Sequence, residues 1–473
     1  MSQVLPNHKS GSSSVGIYLI PVAVYLVATL LSDAYFMGDT PGYTTSILAY
    51  EHGGSFNWDN TFWEFGHLLW RPLGHLAFHL FSPITTRVVG GDERLQLTLS
   101  LMFLSWLAGL FSVVFLRRLL GQFVESWIAN VIVVGACFSN AFLNYAQTGC
   151  SYVTGLLLLI VGLTLLVETR AQDRLVYKQL IAGAACLAGS VCMWFPFVLV
   201  LPAALVTPVV LGRSFRMGVP ATLRATLFTA ILLGLAYIAV LVHLRIFTLE
   251  ALRTWMLAAG HGYNQTGIPR MVFGLARSFV NMGDDGILFK RYLLHDPYSP
   301  VTLIQLVRFS LWKLLAFYLT LGTVGIVTLC SDKGRRVIAI VLVAALPILY
   351  FALFVFEGGM PERYLPLWPF LFLLFAISMG SFSLRIVRYV VIAFVGVMII
   401  SNFGAMSKWT LQRKQELIKP RISELYGRLK PNSLIAATHL QDELTSFYYN
   451  YPFNPLNRHG DVTVYNVLEP GAA

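Results

Sequence analysis

The stretch Gly38-Asp39-Thr40-Pro41-Gly42-Tyr43 directly follows a hydrophobic run, Ser13 to Leu31, that is long enough to cross a bilayer as a helix. A long polar loop comes next, and most of its charges are acidic. The acids are Asp33, Asp39, Glu51, Asp59, Glu64, Asp92 and Glu93, and the strong bases are Arg71, Arg87 and Arg94. A carboxylate at a membrane surface suits chemistry on a lipid-borne substrate better than passive anchoring.

The composition of the whole chain places it in the membrane. Of its 473 residues, 56% are hydrophobic and only 12% are charged, whereas a soluble protein carries about twice that fraction of charge. The hydrophobic residues come in blocks of about twenty, separated by short basic clusters, which is typical of a polytopic helical membrane protein. The net charge is +11. Because the bases lie between hydrophobic blocks rather than on one surface, we expect no nucleic-acid partner.

The hydrophobic blocks predict about eleven membrane spans. They cover residues 14–32, 95–116, 126–146, 151–168, 179–194, 196–212, 225–246, 309–330, 337–356, 364–380 and 388–406. Basic clusters occupy alternate connections, and the positive-inside bias places those connections and the N-terminus in the cytoplasm. A large first loop (33–94), a second loop (247–308) and the C-terminus are therefore expected on the periplasmic side.

The C-terminal tail differs in composition from the rest of the chain. We expect residues 1–406 to form the transmembrane domain and residues 407–473 to form a small α/β cap outside the membrane. The pattern predicts, in order, a polar helix from Gln412 to Leu429, a strand from Ser433 to Ala437, a helix from Gln441 to Asn450 and a strand from Val462 to Val467.

Asp39 is the first candidate for chemistry. Gly38 before it and Pro41-Gly42 after it indicate a turn, and Tyr43 to His52 is predicted to form a short amphipathic helix. An ionised carboxylate in that turn could accept a proton from an attacking hydroxyl. The alternative role is a helix N-cap. Asp33 is the second candidate for the base, with a solvated charge beside the membrane as its alternative role.

A basic stretch from Phe65 to His79 is the second candidate. Four basic residues recur every four positions and share one face if the stretch is helical, namely His67, Arg71, His75 and His79. Pro72 and Gly74 weaken that pattern, and the helix could instead begin there. Such a face could meet an anionic headgroup, or it could be the polar side of an interfacial helix. A metal pair from His75 and His79 has weak support, because histidines at this spacing are not specific.

The third candidate is the stretch Glu357 to Pro369, where one span leaves the membrane on the external side and the next begins. Arg363 could bind phosphate oxygens bidentately. Tyr364 and Trp368 suit an aromatic belt, and the alternative for Arg363 is a side chain that snorkels to the interface. Loop 247–308 adds bases and amides that could bind phosphate or sugar, but none has a specific spacing.

Three motifs, taken in this order, resemble the GT-C superfamily of membrane glycosyltransferases. This superfamily includes bacterial protein O-mannosyltransferases and the transferases of aminoarabinose and lipopolysaccharide-core sugars. The motifs are Gly38-Asp39-Thr40-Pro41-Gly42-Tyr43, His67-Leu68-Leu69-Trp70-Arg71-Pro72-Leu73-Gly74 and Glu362-Arg363-Tyr364-Leu365-Pro366. The similarity of layout covers nearly the whole chain. Thr40 stands where many relatives carry a second acid, which argues against an acidic-pair metal site.

The resemblance implies an all-α GT-C enzyme in the bacterial inner membrane. Such an enzyme moves a sugar, with inversion, from a polyprenyl-phosphate donor to a hydroxyl of a protein, lipid or glycan acceptor. Asp39 matches the catalytic base. The expected donor-phosphate ligands are Arg363, Arg71 and His67, and the expected sugar or acceptor contacts are Asp33, Tyr43, Glu362 and Tyr364. The resemblance implies no particular metal ligand and no certain cofactor, and it leaves open whether the enzyme uses a divalent metal.

Two other functions are weighed against this one. A transporter or lipid flippase would place ionisable groups at mid-membrane and use broken helices, whereas the acids here gather outside the spans. An O-antigen polymerase or ligase would carry its long external loop late in the chain, whereas here that loop follows the first span. We find no P-loop and no Rossmann fingerprint. A donor that arrives by lateral diffusion in the membrane needs neither.

Overall fold

The computed structural model describes residues 16–53, 62–171, 177–211, 215–259, 266–282, 292, 300–381, 385–413, 434–437 and 463–466. Up to residue 243 these residues form α1 (Gly16–Leu31), α2 (Thr40–Glu51), α3 (Trp70–Val89), α4 (Glu93–Gly121), α5 (Ser126–Cys137), α6 (Asn140–Tyr145), α7 (Tyr152–Ala171), α8 (Tyr177–Met193), α9 (Leu201–Val210) and α10 (Phe215–His243). Short 3-10 turns lie at Phe65–His67 and Phe195–Val200.

The second half of the chain continues in helices. They are α11 (Leu249–Ala258), α12 (Ile268–Phe279), α13 (Leu303–Leu306), α14 (Trp312–Leu329), α15 (Asp332–Phe354), α16 (Trp368–Ser381), α17 (Arg385–Met398) and α18 (Gly404–Met406). A π-helical turn, Val307–Leu311, joins α13 to α14, and another, Ile399–Phe403, joins α17 to α18. A 3-10 turn, Pro361–Leu367, precedes α16.

Among the described residues, six helices are long and apolar enough to cross a membrane, judged by length and composition. They are Glu93–Gly121, Gly218–His243, Leu303–Leu329, Asp332–Phe354, Pro361–Gly380 and Arg385–Met406. Each overlaps one predicted span. Four shorter apolar helices, Gly16–Leu31, Ser126–Cys137, Tyr152–Glu168 and Phe195–Val210, overlap four more. The helical, multi-pass class is confirmed, and the count of eleven spans stays a prediction.

The outer helices expose apolar side chains in the way that a lipid environment requires. On α10, Leu223 is 65% exposed and Leu235 is 60% exposed. On α14, Leu319 and Ile326 are also exposed. Exposed apolar surface of this extent on successive helices is typical of a membrane-embedded face rather than of a water-soluble one.

The helices of the first loop pack onto the membrane helices. Tyr43 and Ile47 of α2 and Trp70 of α3 are buried in the same hydrophobic core as Leu101 of α4. Because α2 and α3 both rest on α4, the residues at their N-terminal ends are held against the top of the bundle. The predicted helix in this loop is present, but it begins at Thr40 rather than at Tyr43.

The predicted span 126–146 is broken. Helix α5 ends at Cys137, α6 is a single short helix, and residues 146–151 are non-helical and buried. The backbone of this segment is bound by side chains: the Trp70 indole donates to the Gly149 carbonyl (3.1 Å), and the Ser105 hydroxyl donates to the Cys150 carbonyl (2.9 Å). Non-helical backbone within a membrane-protein bundle is tolerated where protein groups satisfy its hydrogen bonds or where it lines a cavity.

In the tail, Leu434–Ala437 (β1) and Thr463–Asn466 (β2) pair in parallel, with Leu434 opposite Thr463. These ranges coincide with the two strands that the sequence predicts. The two helices expected beside them lie almost entirely outside the described residues, so the α/β cap as a unit stays a prediction.

Candidate active site

A cavity of about 560 Å³ lies where the first loop meets three breaks in the helical bundle. Four residues singled out from the sequence, Asp39, His67, Glu362 and Arg363, line it together. The rest of its wall comes from the buried break before α7, from Trp194-Phe195-Pro196, from α11 and from residues 351–360. The fold thus brings the first and third sequence motifs, which are far apart along the chain, into one site.

Gly38 allows the backbone turn that precedes Asp39. Its φ is +59°, and a Cβ on it would lie 2.8 Å from the Sγ of Cys150, so only glycine fits this turn. On the other side, the Thr40 hydroxyl donates to the Met37 carbonyl (2.8 Å) and accepts from the Gly149 amide (3.0 Å). The turn is therefore held on both sides of Asp39. A buried hydroxyl, rather than a second acid, occupies position 40.

The Asp39 carboxylate does not cap α2, although Asp39 is the N-cap residue. Its Oδ2 instead accepts a hydrogen bond from the Tyr152 hydroxyl and lies 3.3 Å from the Tyr43 hydroxyl. Burial raises the pKa of Tyr43 well above its ordinary value, so this phenol stays protonated and can donate. The capping alternative is thus not supported, and the carboxylate faces the cavity.

His67 lies behind Asp39 and is buried. Its Nδ1 lies 2.8 Å from the Ser151 hydroxyl and 3.2 Å from the Met193 carbonyl. Its Nε2 faces the Tyr43 hydroxyl at 3.0 Å. Burial lowers the pKa of His67, so the ring is neutral near pH 7. The structure therefore places a hydrogen-bonding His67 here, rather than the cation that a phosphate ligand of the predicted kind would be.

Glu362 and Arg363 also line the cavity. The buried Glu362 carboxylate accepts a hydrogen bond from the Tyr145 hydroxyl (2.7 Å). The Arg363 guanidinium donates through Nη2 to Glu357 (2.6 Å), and its Cζ lies 4.4 Å from the ring centre of Phe356 and 5.4 Å from that of Trp194. Its buried Nε has no hydrogen-bond partner among the described residues. Protein groups thus hold the guanidinium in place in the wall of the cavity.

Two other predicted residues, Arg71 and Tyr43, are not among the residues that line the cavity. Arg71 forms a buried ion pair with Glu64 and lies 5.0 Å from the ring centre of Tyr43. It lines a second cavity of about 780 Å³, together with Glu64, Arg245 and Glu250. The four-residue basic face predicted from Phe65 to His79 does not form, because the helix begins only at Trp70 and His67 belongs to a separate 3-10 turn.

Tyr364 and Asp33 take positions different from the expected ones. Tyr364 is fully buried, and its hydroxyl lies 2.7 Å from the Gly358 carbonyl and 3.0 Å from the Met271 carbonyl. It therefore supports the turn that carries Glu357 and is not among the residues that line the cavity. Asp33 is exposed and also lies outside the cavity, and its Oδ1 is 4.0 Å from the Nζ of Lys408.

Sequence reasoning missed four residues of the site: Tyr145, Tyr152, Trp194 and Glu357. The two tyrosines flank the buried break before α7, and their rings meet edge to face with centres 4.9 Å apart. A break between two apolar segments was the available signal for them. Trp194 is the last residue of the predicted span 179–194, and Glu357 is the first residue of the third candidate stretch, Glu357 to Pro369.

Metal-binding groups do not converge on this cavity in the described part of the chain. One group of three such side chains comes together there, Glu51, His75 and His79, and none of them lines the cavity. With Thr40 bound to the Gly149 amide, the residues beside Asp39 do not fit an acidic-pair metal site.

The fold is similar to that of the aminoarabinose transferase ArnT from Cupriavidus metallidurans. The ArnT structure bound to undecaprenyl phosphate matches with a TM-score of 0.53 at 10% identity, covering 94% of this chain and 87% of that one. The apo structure matches with a TM-score of 0.52 at 12% identity, covering 93% and 85%. No family model and no curated protein matches the chain. At 10% and 12% identity these matches show a shared fold, and that fold agrees with the layout that the motifs predict.

Proposed function

We propose that this protein is a membrane glycosyltransferase that moves a sugar from a polyprenyl-phosphate donor to an acceptor hydroxyl on the periplasmic face. One observation carries the proposal: Asp39 and Arg363, which are far apart in the sequence, line the same cavity. A base and a fixed positive charge within one pocket are what displacement of a lipid phosphate needs.

The proposed reaction is a single displacement with inversion. The acceptor oxygen forms a bond to the anomeric carbon while the bond from that carbon to the phosphate oxygen breaks. Asp39 takes the proton of the acceptor hydroxyl, and the lipid phosphate leaves with the bonding electrons. Tyr152 and Tyr43 orient the carboxylate.

Arg363 is proposed to offset the charge that develops on the departing phosphate. Glu357 and the two aromatic rings hold its guanidinium in place before the donor binds, so little reorganisation accompanies the reaction. Glu362, oriented by Tyr145, is proposed to bind sugar hydroxyls. Arg71 is held by Glu64 in the neighbouring cavity, and we leave it out of the proposed phosphate site.

The likeness to ArnT supports the class of donor, because that protein has been solved with undecaprenyl phosphate. The location of the site supports the lipid route. The cavity lies where α15 gives way to the 357–360 turn, and we propose that this end of the bundle faces the lipid headgroups. The periplasmic side and the bacterial inner membrane follow from the charge bias of the sequence.

The test is sugar transfer by the purified protein in lipid nanodiscs, with a panel of radiolabelled polyprenyl-phosphate sugars and a scan for donor hydrolysis. We expect Asp39→Asn to lower turnover by about 10²–10⁴-fold, the range for loss of a general base. Asn keeps an oxygen that can accept from Tyr152, so the variant should stay folded, and thermal unfolding checks this. Asp33→Asn is the matched control and should keep its activity.

Arg363 is tested in the same assay. Arg363→Lys keeps the charge but loses the planar guanidinium that Glu357 and the two aromatic rings hold, so we expect weaker donor binding and slower turnover, with Arg363→Ala more severe than Arg363→Lys. Full activity of Asp39→Asn in folded protein would remove Asp39 as the base. Failure of every polyprenyl-phosphate sugar to bind the wild-type protein would contradict the donor class itself.

A further inference from the structure

Three side chains away from the cavity converge at the far end of α2. Glu51 is the last residue of α2, and His75 and His79 lie one turn apart on α3. The Nε2 atoms of the two histidines are 3.2 Å apart. The Glu51 Oε2 lies 2.5 Å from the Nε2 of His75 and 3.2 Å from that of His79. Two imidazoles and one carboxylate oxygen thus form a small triangle.

We propose that Glu51, His75 and His79 bind a divalent transition-metal ion of the zinc class. Two imidazole nitrogens and a carboxylate oxygen are a ligand set that zinc prefers. Around a tetrahedral zinc ion, ligand atoms about 2.0–2.1 Å from the metal are about 3.3 Å from one another. Two sides of the observed triangle already have that length, and the third must open by less than about 1 Å. Water would complete the coordination.

The surroundings hold the ligands in place. The rings of Tyr50 and Phe62 stack with centres 3.9 Å apart, and both meet the ring of His75 edge to face. The side chains of Glu51 and His75 are 29% and 27% exposed, which leaves a path for the ion from solvent.

The role of the ion is structural rather than catalytic. Thr40 and Glu51 are the two ends of α2, which at 1.5 Å per residue are about 16 Å apart. An ion at the Glu51 end is therefore too far from Asp39 to contact a sugar donor there. It would join the C-terminal end of α2 to α3 and so fix the helix whose other end follows the Asp39 turn.

The experiment is zinc binding to the full chain, purified with a tag that contains no histidine and stripped with chelator. Wild-type protein is titrated with Zn²⁺ by calorimetry and with Co²⁺ by visible absorption, which reports tetrahedral coordination. We expect one ion per chain and a rise in the unfolding temperature on binding. Affinity should fall at least about tenfold in His75→Asn, His79→Asn and Glu51→Gln.

His52→Asn is the matched control. His52 also lies at the end of α2, but its Nε2 bonds to Glu93 (2.7 Å) and not to the triangle, so its loss should leave binding unchanged. The metal-free unfolding temperature of each variant shows whether it is folded. Absence of saturable Zn²⁺ binding to wild-type protein, or equal binding in His75→Asn and Glu51→Gln, would overturn the proposal and leave a hydrogen-bonded cluster only.

Discussion

His67 shows how burial can change the role of a residue without changing its place. The sequence predicts a cationic phosphate ligand at this position, whereas the structure gives a neutral ring between Tyr43, Ser151 and the Met193 carbonyl. Such a ring can orient Tyr43, and through it Asp39, but it adds no positive charge. In this arrangement Arg363 is the cation among the predicted residues that line the cavity.

The lowered pKa of His67 leads to a prediction about stability and pH. The unfolded chain binds a proton at this histidine near pH 6.5, whereas the folded chain binds it only at lower pH. Unfolding therefore takes up a proton, and stability should fall as the pH drops below about 6.5. Thermal unfolding between neutral and acidic pH should show a smaller decrease for His67→Gln than for wild-type protein. An identical pH dependence in the two proteins would contradict the assignment.

Gly38 leads to a second prediction at the scale of the residue. Gly38→Ala must adopt a positive φ, which costs roughly 1–2 kcal/mol, and must also displace the Sγ of Cys150. We expect a lower unfolding temperature and reduced turnover, since Asp39 is the next residue. Adding Cys150→Ala should restore only the steric part.

Gly42→Ala is the control for Gly38→Ala, because no atom lies within 4 Å of its Cβ position and it belongs to α2. This change should be neutral or stabilising by roughly 0.5–1 kcal/mol. Equal stability of Gly38→Ala and Gly42→Ala would show that the turn is not constrained as described.

At the scale of elements, the site depends on how closely α12 approaches the 357–359 turn. A Cβ on Gly274 would lie 2.1 Å from the Gly358 carbonyl oxygen and 2.8 Å from the Tyr364 ring. The turn begins at Glu357, which has a positive φ of 38° and which holds Arg363. The contact of α12 with this turn therefore supports the position of the cation.

We expect Gly274→Ala to destabilise the protein by roughly 1–3 kcal/mol, the usual cost of overpacking, because backbone atoms cannot rotate away as a side chain can. Donor turnover should fall as well, since the shifted turn carries the partner of Arg363. Thermal unfolding and the transfer assay measure both effects. Gly325→Ala, on α14 with no atom within 4 Å of its Cβ position, is the control. Unchanged stability of Gly274→Ala would show that α12 can move away at little cost.

For the whole molecule, local sequence signals predict the turns and helices that depend on neighbouring residues. The glycine and proline residues around Asp39 predict its turn, and hydrophobic blocks predict the positions of the helices. Tyr152 and Trp194 both line the cavity because breaks in helices that are separated in sequence come together there. No local sequence pattern predicts that these breaks lie side by side. Periodicity also predicted one basic face from His67 to His79, whereas the helix begins at Trp70 and the four side chains go to three different places.

The proposed orientation in the membrane leads to the last prediction. Cys330 is the one exposed cysteine, since Cys137, Cys150 and Cys192 are buried and Cys186 is partly buried. It lies between α14 and α15, next to the bases Lys333, Arg335 and Arg336, so the positive-inside bias places it in the cytoplasm. A membrane-impermeant maleimide should therefore label wild-type protein in inside-out vesicles and not in intact spheroplasts.

The opposite face is tested by placing a cysteine in the first loop. His52 is exposed there, so His52→Cys in a Cys330→Ala background should react in intact spheroplasts, and Cys330→Ala alone should react in neither preparation. Because one helix of 12 residues, α2, joins Asp39 to position 52, we expect position 52 to react on the side to which Asp39 opens. Labelling of Cys330 from outside the cell would place the cavity in the cytoplasm, where acceptors of the periplasmic face could not reach it.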